Sequence, residues 1–163
     1  MQDGVEIALE QVTEYPEKDT TDLIIHPAGP AGFEIRFRVP AWCSGAAARV
    51  NGQPVQTETR PGTWAVIRRQ WTRGDRISIR FPMQLHYAPV DSQHRNRVAL
   101  LYGPVVLVRE HTPVLPARKD LASAMAKSSS KLEFQADVRQ MSRFVPFYNL
   151  GHGRLYEMYF DVA

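Results

Sequence analysis

Glycosidase-type acid/base chemistry needs two carboxylates held roughly 5 to 10 Å apart with unequal pKa values. The chain carries two closely spaced pairs, Glu6 with Glu10 and Glu157 with Asp161. Even spacing puts each pair on the polar face of a strand, and no glycine or aromatic residue frames any of them into a pocket, so they read as solvated surface. The five histidines, His26, His86, His94, His111 and His152, never fall at the short spacings by which one helix or hairpin holds a metal. Cys43, the only cysteine, follows Trp42 at the end of a strand without a serine-type elbow or a nearby histidine, and reads as a structural thiol. It also forbids an internal disulfide and any cysteine-based zinc cluster. No residue is therefore expected to be catalytic, cofactor-binding or metal-ligating. The remaining chemistry lies in the aromatics Trp42, Trp64, Trp71, Tyr87, Tyr102, Tyr148, Tyr156 and Tyr159, which serve either as core or, where exposed, as platforms on which sugar rings pack.

The elements that must position these residues are strands. Phe33, Ile35, Phe37 and Val39 share one face while Glu34, Arg36 and Arg38 share the other, the period of two of a half-buried strand that Pro40 ends. Ile77, Ile79 and Phe81 alternate with Arg76, Ser78 and Arg80 in the same way. Asn51-Gly52 tolerates positive φ at both central positions of a type I′ turn and predicts a hairpin of Ala48–Val50 with Gln53–Gln56. Trp64–Arg68 is a further strand, followed by Trp71 and a turn at Gly74-Asp75. Val5, Ile7 and Leu9, and the apolar stretch Leu23–His26, read as outer strands. Val98–Val108 is apolar on both faces and predicts one central, doubly covered strand. Between His111 and Ser130 the composition turns to Pro, Lys, Ala and Ser, a loop in which Asp120 would cap one short helix over Leu121–Lys127. Strand patterning returns at Leu132–Ala136, Phe144–Tyr148 and Tyr156–Phe160.

These signals define an all-β chain, an antiparallel two-sheet, jelly-roll-like β-sandwich of about nine to eleven short strands with at most one short helix, forming a single domain over residues 1–163. A chain of 163 residues can bury roughly 70% of its unfolded surface, so packing alone can sustain the fold. The longest apolar run falls well short of the roughly 20 residues of a membrane helix. The formal charge of +3, carried mostly by arginine, is too small to mark a nucleic-acid footprint. Neither nucleic acid nor membrane is an expected partner. Met1–Glu6 has neither the basic start nor the apolar core of a secretory leader, and the location depends on the parent protein, cytoplasmic or periplasmic.

The ordered set LEQVTEYP (Leu9–Pro16), FEIRFRVPAWC (Phe33–Cys43), VNGQPV (Val50–Val55), WTRGDRISIRFPM (Trp71–Met83), VALLYGPVVLV (Val98–Val108), FVPFY (Phe144–Tyr148) and LYEMYF (Leu155–Phe160) resembles the β-sandwich region that follows the catalytic barrel in glycoside hydrolase family 127, the β-L-arabinofuranosidase-like proteins. In that family an (α/α)6 barrel does the chemistry with a cysteine nucleophile, a glutamate acid/base and a zinc held by cysteines and a glutamate. None of these positions has a match here, and Cys43 lies in the wrong element to be that nucleophile. The resemblance implies a C-terminal fragment of a larger hydrolase, a non-catalytic accessory module that packs on a barrel supplied in cis or in trans and holds no cofactor itself. The alternative is a free-standing carbohydrate-binding module using exposed Trp and Tyr rings.

Overall fold

The computed structural model describes residues 4–110, 126–127, 132–135, 143–151 and 153–162. Fifteen strands, three of them only two residues long, and one short 3-10 turn are present among them, more strands than the roughly nine to eleven that the turn signals suggest. Among the described residues the strands pair antiparallel throughout. No described helix is long and apolar enough to cross a membrane. By its packing the chain divides into two compact units, Met1–Met83 and Gln84–Ala163, each with its own apolar core.

The first unit contains β1 (Ile7–Thr13), β2 (Thr20–Pro27), β3 (Ala31–Arg38), β4 (Ala47–Val50), β5 (Gln53–Val55), β6 (Trp64–Trp71) and β7 (Asp75–Arg80). Five of them form a sheet in the order β1-β2-β7-β4-β5, and β3 pairs with β6 in a second sheet. The predicted alternation is realised: Ile35, Phe37, Ile77 and Ile79 are buried, whereas Arg36, Arg38, Arg76 and Arg80 are exposed. Ile25, Ala48, Val50, Ile77 and Ile79 from the larger sheet join Ile35, Phe37, Ala65, Ile67 and Trp71 from the smaller in one core. Each large apolar side chain so buried contributes about 1.5–3 kcal/mol. The two-stranded layer is narrower than the five-stranded one. The edge strand β1 is accordingly almost wholly exposed, with Leu9 and Val12 open to solvent. The stretch Leu23–His26 lies in β2, second in the sheet between β1 and β7, and not at its edge.

The Asn-Gly turn forms as predicted, with Asn51 at φ 51° and Gly52 at φ 81°, and Val50 opposite Gln53. Gly52→Ala forces a β-carbon into the left-handed region and is expected to cost the first unit about 1 kcal/mol, read as a lower urea midpoint with unchanged slope. An unchanged midpoint would show that the turn relaxes freely.

The second unit contains β8 (Leu85–Pro89), β9 (Arg97–Tyr102), β10 (Val105–Glu110), β11 (Ala126–Lys127), β12 (Phe134–Gln135), β13 (Arg143–Pro146), a 3-10 turn (Phe147–Asn149), β14 (Tyr156–Glu157) and β15 (Tyr159–Asp161). The sheet order is β11-β12-β13-β10-β9-β15, with β14 on β10 and β8 on β9. The run Val98–Val108 is two strands of a hairpin and not one: Gly103, at φ 55°, and Pro104 turn the chain, setting Tyr102 opposite Val105 and Leu101 opposite Val106. Proline removes a ladder donor and glycine permits the positive φ, so the dipeptide ends a strand even inside an apolar run. The double coverage holds, because the successive residues Val98, Ala99 and Leu100 are all buried. Phe144 packs edge-on against Phe160 in this core, with ring centroids 6.0 Å apart. Of the helix expected over Leu121–Lys127, only Ala126–Lys127 is described, and it is a strand paired with β12. The rest of that helix lies outside the described residues.

Candidate functional site

The carboxylates of the two pairs have separate surroundings. Glu10 sits on β1 and faces His26 at 3.4 Å, while Glu6 is exposed ahead of the strand. Glu157 and Asp161 lie on different strands, opposite Arg109 of β10 and Arg97 of β9. Glu157 is ion-paired to Arg109, whose side chain is only 4% exposed, a link across 48 residues that the sequence does not signal. His94 is bound by Asp91 at 2.9 Å, and the Nδ1 of His86 lies 3.3 Å from the Gln84 carbonyl. His111 and His152 lie outside the described residues. Among the described residues no group of three His, Cys, Asp or Glu side chains is placed to hold a metal ion.

Cys43 is buried, and its thiol points at the Pro82 carbonyl with an Sγ to oxygen distance of 3.9 Å. Burial pushes the thiol up from its ordinary value, the opposite of what an activated nucleophile needs. An aromatic disulfide reagent is therefore expected to react with the native chain at least about tenfold more slowly than with the urea-unfolded chain. Equal rates would contradict a structural role.

The aromatics divide sharply. Trp71 is fully buried, its indole N–H donating to the Phe33 carbonyl at 2.9 Å, and Trp42 is half-buried against the same core. Tyr87 and Tyr102 are half-buried, next to Phe160 and Phe134. Tyr148, Tyr156 and Tyr159 are exposed, and Tyr156 lies beside the exposed Phe147, with ring centroids 5.3 Å apart. Trp64 is 55% exposed.

Trp64 stands on the outer face of the β3–β6 sheet, where the register sets Arg38 opposite Trp64, Arg36 opposite Val66, Glu34 opposite Arg68 and Gly32 opposite Gln70. Glu34 accepts from Arg36 at 2.7 Å and from Arg68 at 2.6 Å. The Arg68 hydrogen bond, then that of Arg36, holds its carboxyl below the usual carboxylate range, so Glu34 is an ionised acceptor and not a proton donor. At the far end Gly32 leaves room for Gln70, whose Oε1 would lie 2.9 Å from a β-carbon at that position. An open depression of about 680 Å³ lies there, between Ile7, Phe33, Glu34, Arg68 and Arg69. Arg69 points to the other face, its guanidinium 5.2 Å from the ring centre of Trp71. The alternation of Trp64, Val66, Arg68 and Gln70 could have located this face, had the strand been read to Trp71 and not ended at Arg68.

The surface offers hydrogen-bond donors, acceptors and one open ring. It belongs to an all-β protein of stacked antiparallel sheets. The chain belongs to glycoside hydrolase family 127: the family model described as "Beta-L-arabinofuranosidase, GH127 middle domain" matches residues 1–83. That match ends at the same residue as the first compact unit. The family resemblance implies a C-terminal region for the whole chain, whereas the match assigns the first 83 residues to a middle domain.

Among solved structures the chain is similar to a GH127 β-L-arabinofuranosidase from Geobacillus stearothermophilus T6, at 25% identity and a TM-score of 0.70 over 99% of this chain and 31% of that one. A protein described as a glycoside hydrolase matches at 24% identity and a TM-score of 0.70, over 96% of this chain and 32% of its own. A GH127 β-arabinofuranosidase matches at 22% identity and 0.68, over 98% and 32%. The chain thus spans about a third of the length of the solved structures it matches. No curated protein matches it.

Proposed function

We propose that this chain is a non-catalytic accessory module of a glycoside hydrolase resembling β-L-arabinofuranosidases, and that it packs on and supports a catalytic barrel supplied in cis or in trans. The observation that carries the reading is coverage: nearly the whole chain is accounted for by about a third of each matched hydrolase. The zinc implied by the family resemblance does not fit the described residues, which include no three-ligand cluster and a cysteine that is buried. The overhanging β1, with Leu9 and Val12 uncovered, is the kind of apolar margin that a larger neighbour would cover.

The purified chain is expected to release no nitrophenol from a nitrophenyl β-L-arabinofuranoside above the buffer rate. Release that follows the chain through purification and disappears in Cys43→Ser would sink the reading. Support is tested in the Geobacillus enzyme by deleting the third that this chain matches. The remainder is expected to aggregate or lose activity, and a remainder as soluble and active as the whole enzyme would remove the supporting role.

A further inference from the structure

The outer face of β3 and β6 combines features that neither the core nor the family match accounts for. Six residues separate the Trp64 rung from the Gln70 rung, so the strip is about 20 Å long at the rise of a strand. Trp64 stands at one end and Gly32 with Gln70 at the other. Between them Glu34 pairs with both Arg36 and Arg68, and each guanidinium, with five donors, has more N–H groups than these bonds take up. Arg36 and Arg68 are largely exposed, whereas Glu34 is mostly covered.

We propose that this strip is a glycan-binding site, taking a neutral, extended oligosaccharide with one ring stacked on Trp64 and its hydroxyls bound by Glu34, Arg36, Arg68 and Gln70. The chemistry of the ligand follows from that of the face. A sugar ring has an apolar C–H side that packs on an indole and a rim of hydroxyls, each both donor and acceptor. The strip offers both in alternation: a carboxylate and an amide oxygen accept, while guanidinium and amide N–H groups donate. The ionised Glu34 in mid-strip repels an anionic group at its own rung, and the polygalacturonate control separates a neutral glycan from an anionic one. One indole and Val66 are the large apolar groups of the strip, and its other side chains are charged or amide. Binding at the strip does not depend on the barrel-supporting role: an isolated chain without hydrolytic activity would still bind.

The three tryptophans supply three indole N–H signals in a proton–nitrogen NMR spectrum of the full chain, and Trp64→Phe identifies that of Trp64. Linear arabinohexaose, xylohexaose and cellohexaose are titrated into the millimolar range, with polygalacturonate as the anionic control. At least one neutral hexaose is expected to shift the Trp64 signal in a saturable way that added salt does not abolish. In the Trp64 variants, where binding is followed by the backbone amide signals of β3 and β6, Trp64→Ala is expected to weaken it at least about tenfold, and Trp64→Phe, which keeps a stacking face, only a few-fold. Glu34→Gln, which releases the two arginines, is expected to weaken it as well. Trp64 is exposed, so both variants at that position are expected to melt as the parent does. A silent Trp64 signal with all three hexaoses, equal affinity in Trp64→Ala, or binding to polygalacturonate alone would each overturn the proposal. Loss of barrel support in the deletion experiment would leave it untouched.

Discussion

Trp71→Ala is expected to destabilise the first unit by about 3–5 kcal/mol, the range for emptying a large buried aromatic site. Whole domains are stable by only about 5–15 kcal/mol, so the variant should be partly unfolded at ambient temperature or close to it. The side chain is fully buried among residues from both sheets of the unit. Its removal leaves a cavity and takes away the indole donor bound to the Phe33 carbonyl. It also removes the ring beside Phe33, at 5.9 Å, and beneath the Arg69 guanidinium. Urea unfolding followed by far-ultraviolet circular dichroism reads the loss without depending on tryptophan emission. Trp71→Phe, which fills most of the volume but donates nothing, should fall between the two. A loss below about 1 kcal/mol in Trp71→Ala would mean that the two sheets do not depend on this residue.

Asp75→Ala is the second large effect, expected to cost about 1–3 kcal/mol because it removes a buried, charged acceptor on which two donors converge. One carboxylate oxygen accepts from the Asn51 side-chain amide at 2.7 Å and the other from the Thr72 backbone N–H at 2.8 Å. Asn51 in turn accepts from the Arg76 backbone N–H at 2.9 Å. The hairpin β4–β5 is thus bolted to the start of β7. The Asn51 hydrogen bond, then the Thr72 N–H, holds the Asp75 carboxyl below its ordinary value, and the nearby Arg69 charge adds to this. A carboxylate whose folded pKa is depressed contributes stability that is fully present above its unfolded value, 3.8. That contribution is lost as the pH falls from there through the lower folded value. Urea midpoints at neutral pH and near pH 3 should therefore converge between parent and Asp75→Ala, the gap being widest at neutral pH. A gap independent of pH would show that the ionised form is not what the site holds. In a double-mutant cycle with Asn51→Ala the two losses should fail to add, since both break the same link.

These two residues explain why the ordered sequence segments are recognisable. WTRGD and VNGQPV are distant in sequence yet meet at Asp75 and Asn51, and Trp71 ties the first of them to Phe33 of FEIRFRVPAWC. These three segments thus mark places where strands of the first unit are fastened together. The exposed strip bearing Trp64 was within reach of period-two reasoning, because Trp64 and Trp71 are seven residues apart on one strand and must face opposite ways. Which of them is covered depends on which sheet lies over the inner face, and alternation alone carries no information about that.

The sequence by itself determined the all-β class, the alternating faces of β3 and β7, the Asn-Gly hairpin and the structural place of Cys43. Each follows from local rules: side chains alternate along a strand, positive φ favours Asn and Gly, and an isolated apolar thiol is packed. Only the tertiary structure decided that the chain packs as two units, that Val98–Val108 turns back on itself, that Arg109 is buried against Glu157, and that Glu34 pairs with two arginines on the face that also bears Trp64. Those outcomes depend on pairings between residues far apart in the chain. Such pairings are set by which surfaces bury together, a property that no short window of residues contains.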